Sequence, residues 1–149
     1  MAPSDWCAYW TTAVNGQDYK EYWELLKQVL VKKLELDEVM PRGHAQEQMH
    51  KRGILKDDVA MILLENDPVE MHAAYSYPYS DPPCSNPDPV FTVVGHVGEQ
   101  WVAVALAVKP VFKHRDIDFY VVTVIAPLEQ HSRHLRHAKK GFPRNENPV

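Results

Sequence analysis

The chain has 149 residues with 16 basic and 20 acidic side chains, a formal net charge of −4, and 45% hydrophobic and 24% charged residues. That length fits one domain with a sizeable core, the composition excludes wholesale disorder, and the acidic balance argues against binding nucleic acid over the whole surface. No apolar run approaches the roughly 20 residues of a bilayer span, and Met1 to Trp10 lacks a basic-then-apolar leader, so the sequence predicts a cytoplasmic protein with no membrane association.

Pro3-Ser4-Asp5 and Asn15-Gly16 frame a short aromatic helix over Trp6 to Val14. Tyr19, Tyr22, Trp23, Leu26, Val29, Leu30 and Leu34 then recur at three- and four-residue steps, which predicts a helix from about Gln17 to Leu36. The aromatic crowding of this first quarter reads as a packed subdomain or as a surface covered by a partner, and a stripe at helical spacing usually buries against its own core. Pro41 ends the helix and Arg42-Gly43 forms a joint. From His44 to Arg52 a short helix turns Ala45 and Met49 inward and leaves His44, Gln48, Lys51 and Arg52 for contacts. Gly53 is placed to stop it in a left-handed conformation. Asp57 or Asp58 can cap a second helix that buries Val59, Ile62 and Leu63 and closes at Asn66-Asp67-Pro68.

Tyr75, Tyr77 and Tyr79 alternate with polar residues and permit a short edge strand. Asp81 to Pro89 is too proline-rich for regular structure and reads as a long surface loop, a length more often functional than neutral. Val90 to Val97, Gln100 to Val108 and Asp118 to Ala126 are strand candidates forming an antiparallel meander, with a turn at Gly98-Glu99. Apolar residues on both faces of these strands predict cover on both sides, from helices or from a second copy.

Beyond Pro127, a segment from Leu128 to Lys140 carries Arg133, Arg136, Lys139 and Lys140 and reads as a basic helix or tail suited to phosphate or acidic protein. His131, His134 and His137 recur every three residues, but with only Glu129 nearby they do not compose a tetrahedral metal set. Gly95-His96-Val97-Gly98 lacks the lysine of a phosphate loop, and Cys7 and Cys84 give neither a disulfide framework nor a metal pair. No metal and no cofactor is expected.

His44-Ala45, Met49, Arg52-Gly53-Ile54, the capped helix, the variable loop and a last strand ending Val122-Thr123-Val124-Ile125-Ala126-Pro127 resemble a family of small domains grouped with the RelE and barnase-like ribonuclease toxins. Its pattern reads His-Ala-x-x-Arg-Met-x-x-Arg-Gly-Ile, with a last strand of Thr-x-Tyr-x-Pro; Gln48 and Ile125 stand where this pattern has arginine and tyrosine. The resemblance covers roughly residues 40 to 127. It implies a RelE/barnase-like fold for that stretch and leaves the N-terminal helices unexplained. Together with the pattern reading, the expectation is an α+β domain with N-terminal helices before an antiparallel meander, divided into a helical extension (1–39), a RelE/barnase-like core (40–127) and a basic tail (128–149).

Metal-free RNA cleavage needs a base, an acid and a cation that stabilises phosphate charge. By the resemblance His44 is the candidate base or acid, Arg52 the phosphate ligand and Thr123 a hydrogen-bond donor to it. Each also has a plain structural reading: a histidine packed under the sheet, an arginine satisfying a helix end, a strand threonine. Two functions therefore stand side by side. One is a ribonuclease-like toxin or effector using His44, Arg52 and Thr123. The other is a catalytically silent derivative that binds RNA or a protein through Lys51 and the tail cations Arg133, Arg136, Lys139 and Lys140. A homo-oligomer through a sheet face or the aromatic helices is compatible with either.

Overall fold

The computed structural model describes residues 19–72, 75, 77–79, 83–111 and 116–128. The expected helix over Trp6 to Val14 and the tail cations and histidines lie outside these residues. The fold is α+β. Helix α1 (Tyr19–Glu35) leads into strand β1 (Met40–Pro41), then helices α2 (Gly43–Arg52) and α3 (Lys56–Glu65), and then strands β2 (Pro68–His72), β3 (Val90–Val97), β4 (Gln100–Val111) and β5 (Asp116–Ile125). Among the described residues no helix is long and apolar enough to cross a membrane.

The helices form where the apolar spacing predicts. On α1, Trp23, Leu26 and Leu30 fall on one stripe and are fully buried, and Trp23 meets Phe91 of β3 with ring centroids 5.4 Å apart. Full burial of one such side chain contributes roughly 1.5–3 kcal/mol. On α2, Ala45 and Met49 are the buried pair. Gly53 ends that helix at φ 67°, its N–H reaching back to the His50 carbonyl. The chain then enters α3, whose first turn is tied down by Asp58 accepting the Leu55 N–H at 2.8 Å. Val59, Ile62 and Leu63 bury α3 against the sheet.

The sheet is five-stranded and mixed, in the order β1-β5-β4-β3-β2. The expected three-strand meander is its centre: β3, β4 and β5 pair antiparallel in sequence order. Two strands are additions. β1 pairs parallel with β5, Met40 opposite Tyr120 and Pro41 opposite Val121, and β2 pairs antiparallel with β3. Of the Tyr75–Tyr79 stretch, the described residues Tyr75 and Tyr77 to Tyr79 are not in a strand; the edge is supplied by β2, earlier in the chain. Each of the two outer strands carries a proline, Pro41 and Pro68.

Phe91, Val93, Val104, Leu106, Phe119 and Val121 point to one face and form the main core with the three helices. The other face is lined by small residues, with Ala103, Ala105 and Ala107 along β4. Part of the long loop lies on it, with the fully buried Tyr77 packing against Val90, Ala105 and Ala107. This face also holds a buried polar group, in which Glu70 Oε1 lies 2.9 Å from His72 Nε2 and accepts the Thr92 hydroxyl at 3.3 Å. The shortness of the β4 side chains lets the loop approach the strands. Proximity of the two is what creates the cleft described next.

Candidate functional site

The chain reaches the parallel edge of the sheet at β1 and turns at once into α2. Arg42 makes that turn: its N–H donates to the Val121 carbonyl at 2.9 Å, and its own carbonyl receives the first helical bond, from Gln46 N at 2.8 Å. Its backbone is extended and no side chain caps the helix. The first amides of α2 therefore carry the partial positive charge of an uncapped N-terminus.

Beside this turn lies an open cleft of about 550 Å³, within the size range of small-ligand sites. Arg42 and His44 form one wall, Lys109, Tyr120 and Val122 the floor, and Tyr79 with residues 85–88 of the loop the other wall. A local irregularity in the pairing of β4 with β5 sets the floor. Thr123 lies opposite Ala105 and Val121 opposite Leu106, so Val122 is an extra residue on β5. A smaller cavity of about 60 Å³ is lined by Leu34, Val39, Met49 and Val59 together with Asp37, Lys56 and Asp57. The cleft is the larger of the two.

Tyr120 is the hub of the cleft. The Arg42 guanidinium lies over its ring, 4.0 Å from the centroid, a geometry in which the ring quadrupole attracts the cation. The phenol oxygen is 2.6 Å from Asp88 Oδ2 and 2.8 Å from the Asn86 side-chain oxygen position. One phenol proton cannot serve two acceptors. The shorter, charge-assisted bond takes it to Asp88, and the Asn86 amide faces the phenol best with its NH₂ group. That orientation also gives a partner to Asn86 Nδ2, which is buried and otherwise has none among the described residues. Burial, then the hydrogen bond to Asp88 and the charge of that carboxylate, push the Tyr120 pKa above its ordinary value; Arg42 and Asn86 pull the other way. The phenol stays protonated and pins the loop to the floor.

His44, the candidate proton carrier, is exposed in the first turn of α2 and lines this cleft. Arg52 is exposed at the other end of the same helix, about 12 Å further on at 1.5 Å per residue. Its carbonyl accepts a hydrogen bond from the Gln100 side chain at the start of β4. Lys51 is exposed on the same last turn. Thr123 is only 3% exposed and sits within the sheet opposite Ala105. The three residues named by the resemblance therefore do not share one concavity; His44 shares its cleft with Arg42 and Lys109 instead. Among the described residues no three histidine, cysteine or carboxylate side chains group as metal ligands.

Arg42, Asn86, Asp88, Lys109 and Tyr120 were not singled out by the sequence. A signal existed only for the loop, through its length and prolines; Tyr120 reads as an ordinary strand position until the phase of the strands is known, and Lys109 falls just past the expected end of its strand at Val108. Comparison with family models, with curated proteins and with solved structures finds no match to this chain.

Proposed function

We propose that this domain binds RNA, gripping the phosphodiester backbone in the cleft at the start of α2. The supporting observation is the convergence of Arg42, His44 and Lys109 on one open cavity beside an uncapped helix N-terminus. Asp88 is the opposing charge in the cleft, and its carboxylate is engaged by Tyr120. The resemblance to the RelE and barnase-like ribonuclease toxins supports the same ligand class, and the α+β architecture with a central antiparallel meander is compatible with it. Binding is placed before cleavage because Arg52 and Thr123 stand outside the cleft and Gln48 and Ile125 depart from the pattern.

His44 favours a second reading, metal-independent RNA cleavage at the same place. An exposed imidazole lining the same cleft as Arg42 and Lys109 is suited to taking the 2′-hydroxyl proton and, once protonated, returning it to the departing 5′-oxygen, while Arg42 and Lys109 stabilise charge on the phosphate. One protein preparation tests both. Fluorescence anisotropy with a labelled RNA oligonucleotide is expected to show about tenfold weaker binding for Arg42→Ala and for Lys109→Ala, the loss of one charge-assisted contact each. Unchanged affinity in both variants removes the cleft as the RNA site. In excess EDTA, strand scission that disappears in His44→Ala supports the enzyme reading; intact RNA with the wild-type protein leaves binding alone.

A further inference from the structure

The wall of the cleft opposite Arg42 bears on which form of polynucleotide enters. Tyr79 is 42% exposed there. Its ring meets the ring of Tyr77 edge-on, centroids 5.6 Å apart, and Tyr77 in turn meets His72 of β2 edge-on at 5.4 Å. Tyr77 is fully buried against the sheet, so this series of rings runs from the rigid core out to the cleft. The loop behind Tyr79 is also bonded to itself: the Tyr75 N–H donates to the Asn86 carbonyl at 2.7 Å and the Cys84 N–H to the Tyr77 carbonyl at 3.0 Å. Tyr79 is therefore an aromatic group held in position in the same open cleft as Arg42 and Lys109.

We propose, on the basis of the RNA-binding reading, that the cleft takes one unstacked nucleotide of a single strand, its base against the Tyr79 ring and its phosphate toward Arg42 and Lys109. A cavity of about 550 Å³ has room for one nucleotide-sized group. A base inside a duplex is already stacked and paired and cannot turn a face to a side chain, whereas a single strand offers one at low cost. Aromatic stacking tolerates any base, so the selectivity is for strandedness and not for sequence. The contact of Arg42 with the Tyr120 ring, 4.0 Å from its centroid, completes the arrangement by holding the guanidinium against the floor.

The test uses the full chain and three probes: an eight-nucleotide oligouridylate, a blunt RNA duplex of eight base pairs and inorganic polyphosphate. The wild-type protein is expected to bind the single strand at least about tenfold more tightly than the duplex. Tyr79→Ala should weaken single-strand binding by about tenfold and leave polyphosphate binding unchanged. Tyr79→Phe, which keeps the ring, should retain wild-type affinity. Single-strand affinity unaltered by Tyr79→Ala overturns the stacking proposal while leaving the RNA reading intact. Equal losses on the single strand and polyphosphate overturn it too, because Tyr79 then only supports the loop. Absence of binding to all three probes, or binding indifferent to Arg42→Ala and Lys109→Ala, overturns the RNA reading itself.

Discussion

At the residue scale, Tyr120 joins three separate parts of the chain: the joint before α2 through Arg42, the proline-rich loop through Asp88 and Asn86, and the sheet through β5. Its protonation is coupled to folding. The folded-state pKa is raised above the ordinary value near 10, so the stability it contributes is complete below that value and is lost as pH climbs from about 10 through the folded pKa. Denaturant unfolding from pH 7 to 11 should show wild-type stability declining at the alkaline end more steeply than that of Tyr120→Phe. At pH 7 the variant should be less stable by about 1 kcal/mol for the lost hydrogen bond. A sequence reading could not find this residue. Asp-Phe-Tyr-Val-Val is aromatic and β-branched enough to predict a strand, but which side chain faces the loop depends on the extra residue at Val122, which only pairing reveals.

At the element scale, what could be read was what local chemistry dictates. The stripe through Trp23, Leu26 and Leu30, the left-handed stop at Gly53 and the hairpin at Gly98 each follow from a pattern within a few residues, and each is in the structure. β1 and β2 were not legible. β1 is two residues long and exists only because β5 offers it a parallel partner. β2 is buried at every position, so Pro-Val-Glu-Met-His shows no alternation to betray it. The packing of α3 on β3 shows the same dependence on tertiary context at Gly95. A methyl group there would come within 2.9 Å of Ile62 Cγ1 and Asn66 Nδ2, the latter already bonded to the Ile62 carbonyl. Gly95→Ala should lower unfolding free energy by about 1–3 kcal/mol, checked by thermal or denaturant melts, with RNA affinity at a permissive temperature unchanged.

At the scale of the whole molecule, a net charge of −4 means that attraction to a polyanion has to be local. Neutralising single-strand phosphates with Arg42 and Lys109 alone gives a slope of about −1.4 in log affinity against log salt, whereas the five cations of the tail, Arg144 included, would give about −3.5. Measuring that slope by anisotropy between 50 and 300 mM salt separates the cleft from residues 129–149 as the source of affinity, and Arg42→Ala should reduce a cleft-type slope by about 0.7. The sheet has a consequence of a different kind. Its middle strand holds Val102-Ala103-Val104-Ala105-Leu106-Ala107-Val108, an uncharged stretch buried throughout. Its two margins carry Pro41 and Pro68, which have no amide hydrogen to offer a neighbouring chain. The native molecule is thus guarded against adding strands from other copies, while a chain caught with β4 unpaired displays the kind of segment that nucleates fibrils. Loss of material on heating or refolding should therefore rise with the population of partly unfolded chains, while folded protein at the same total concentration stays in solution.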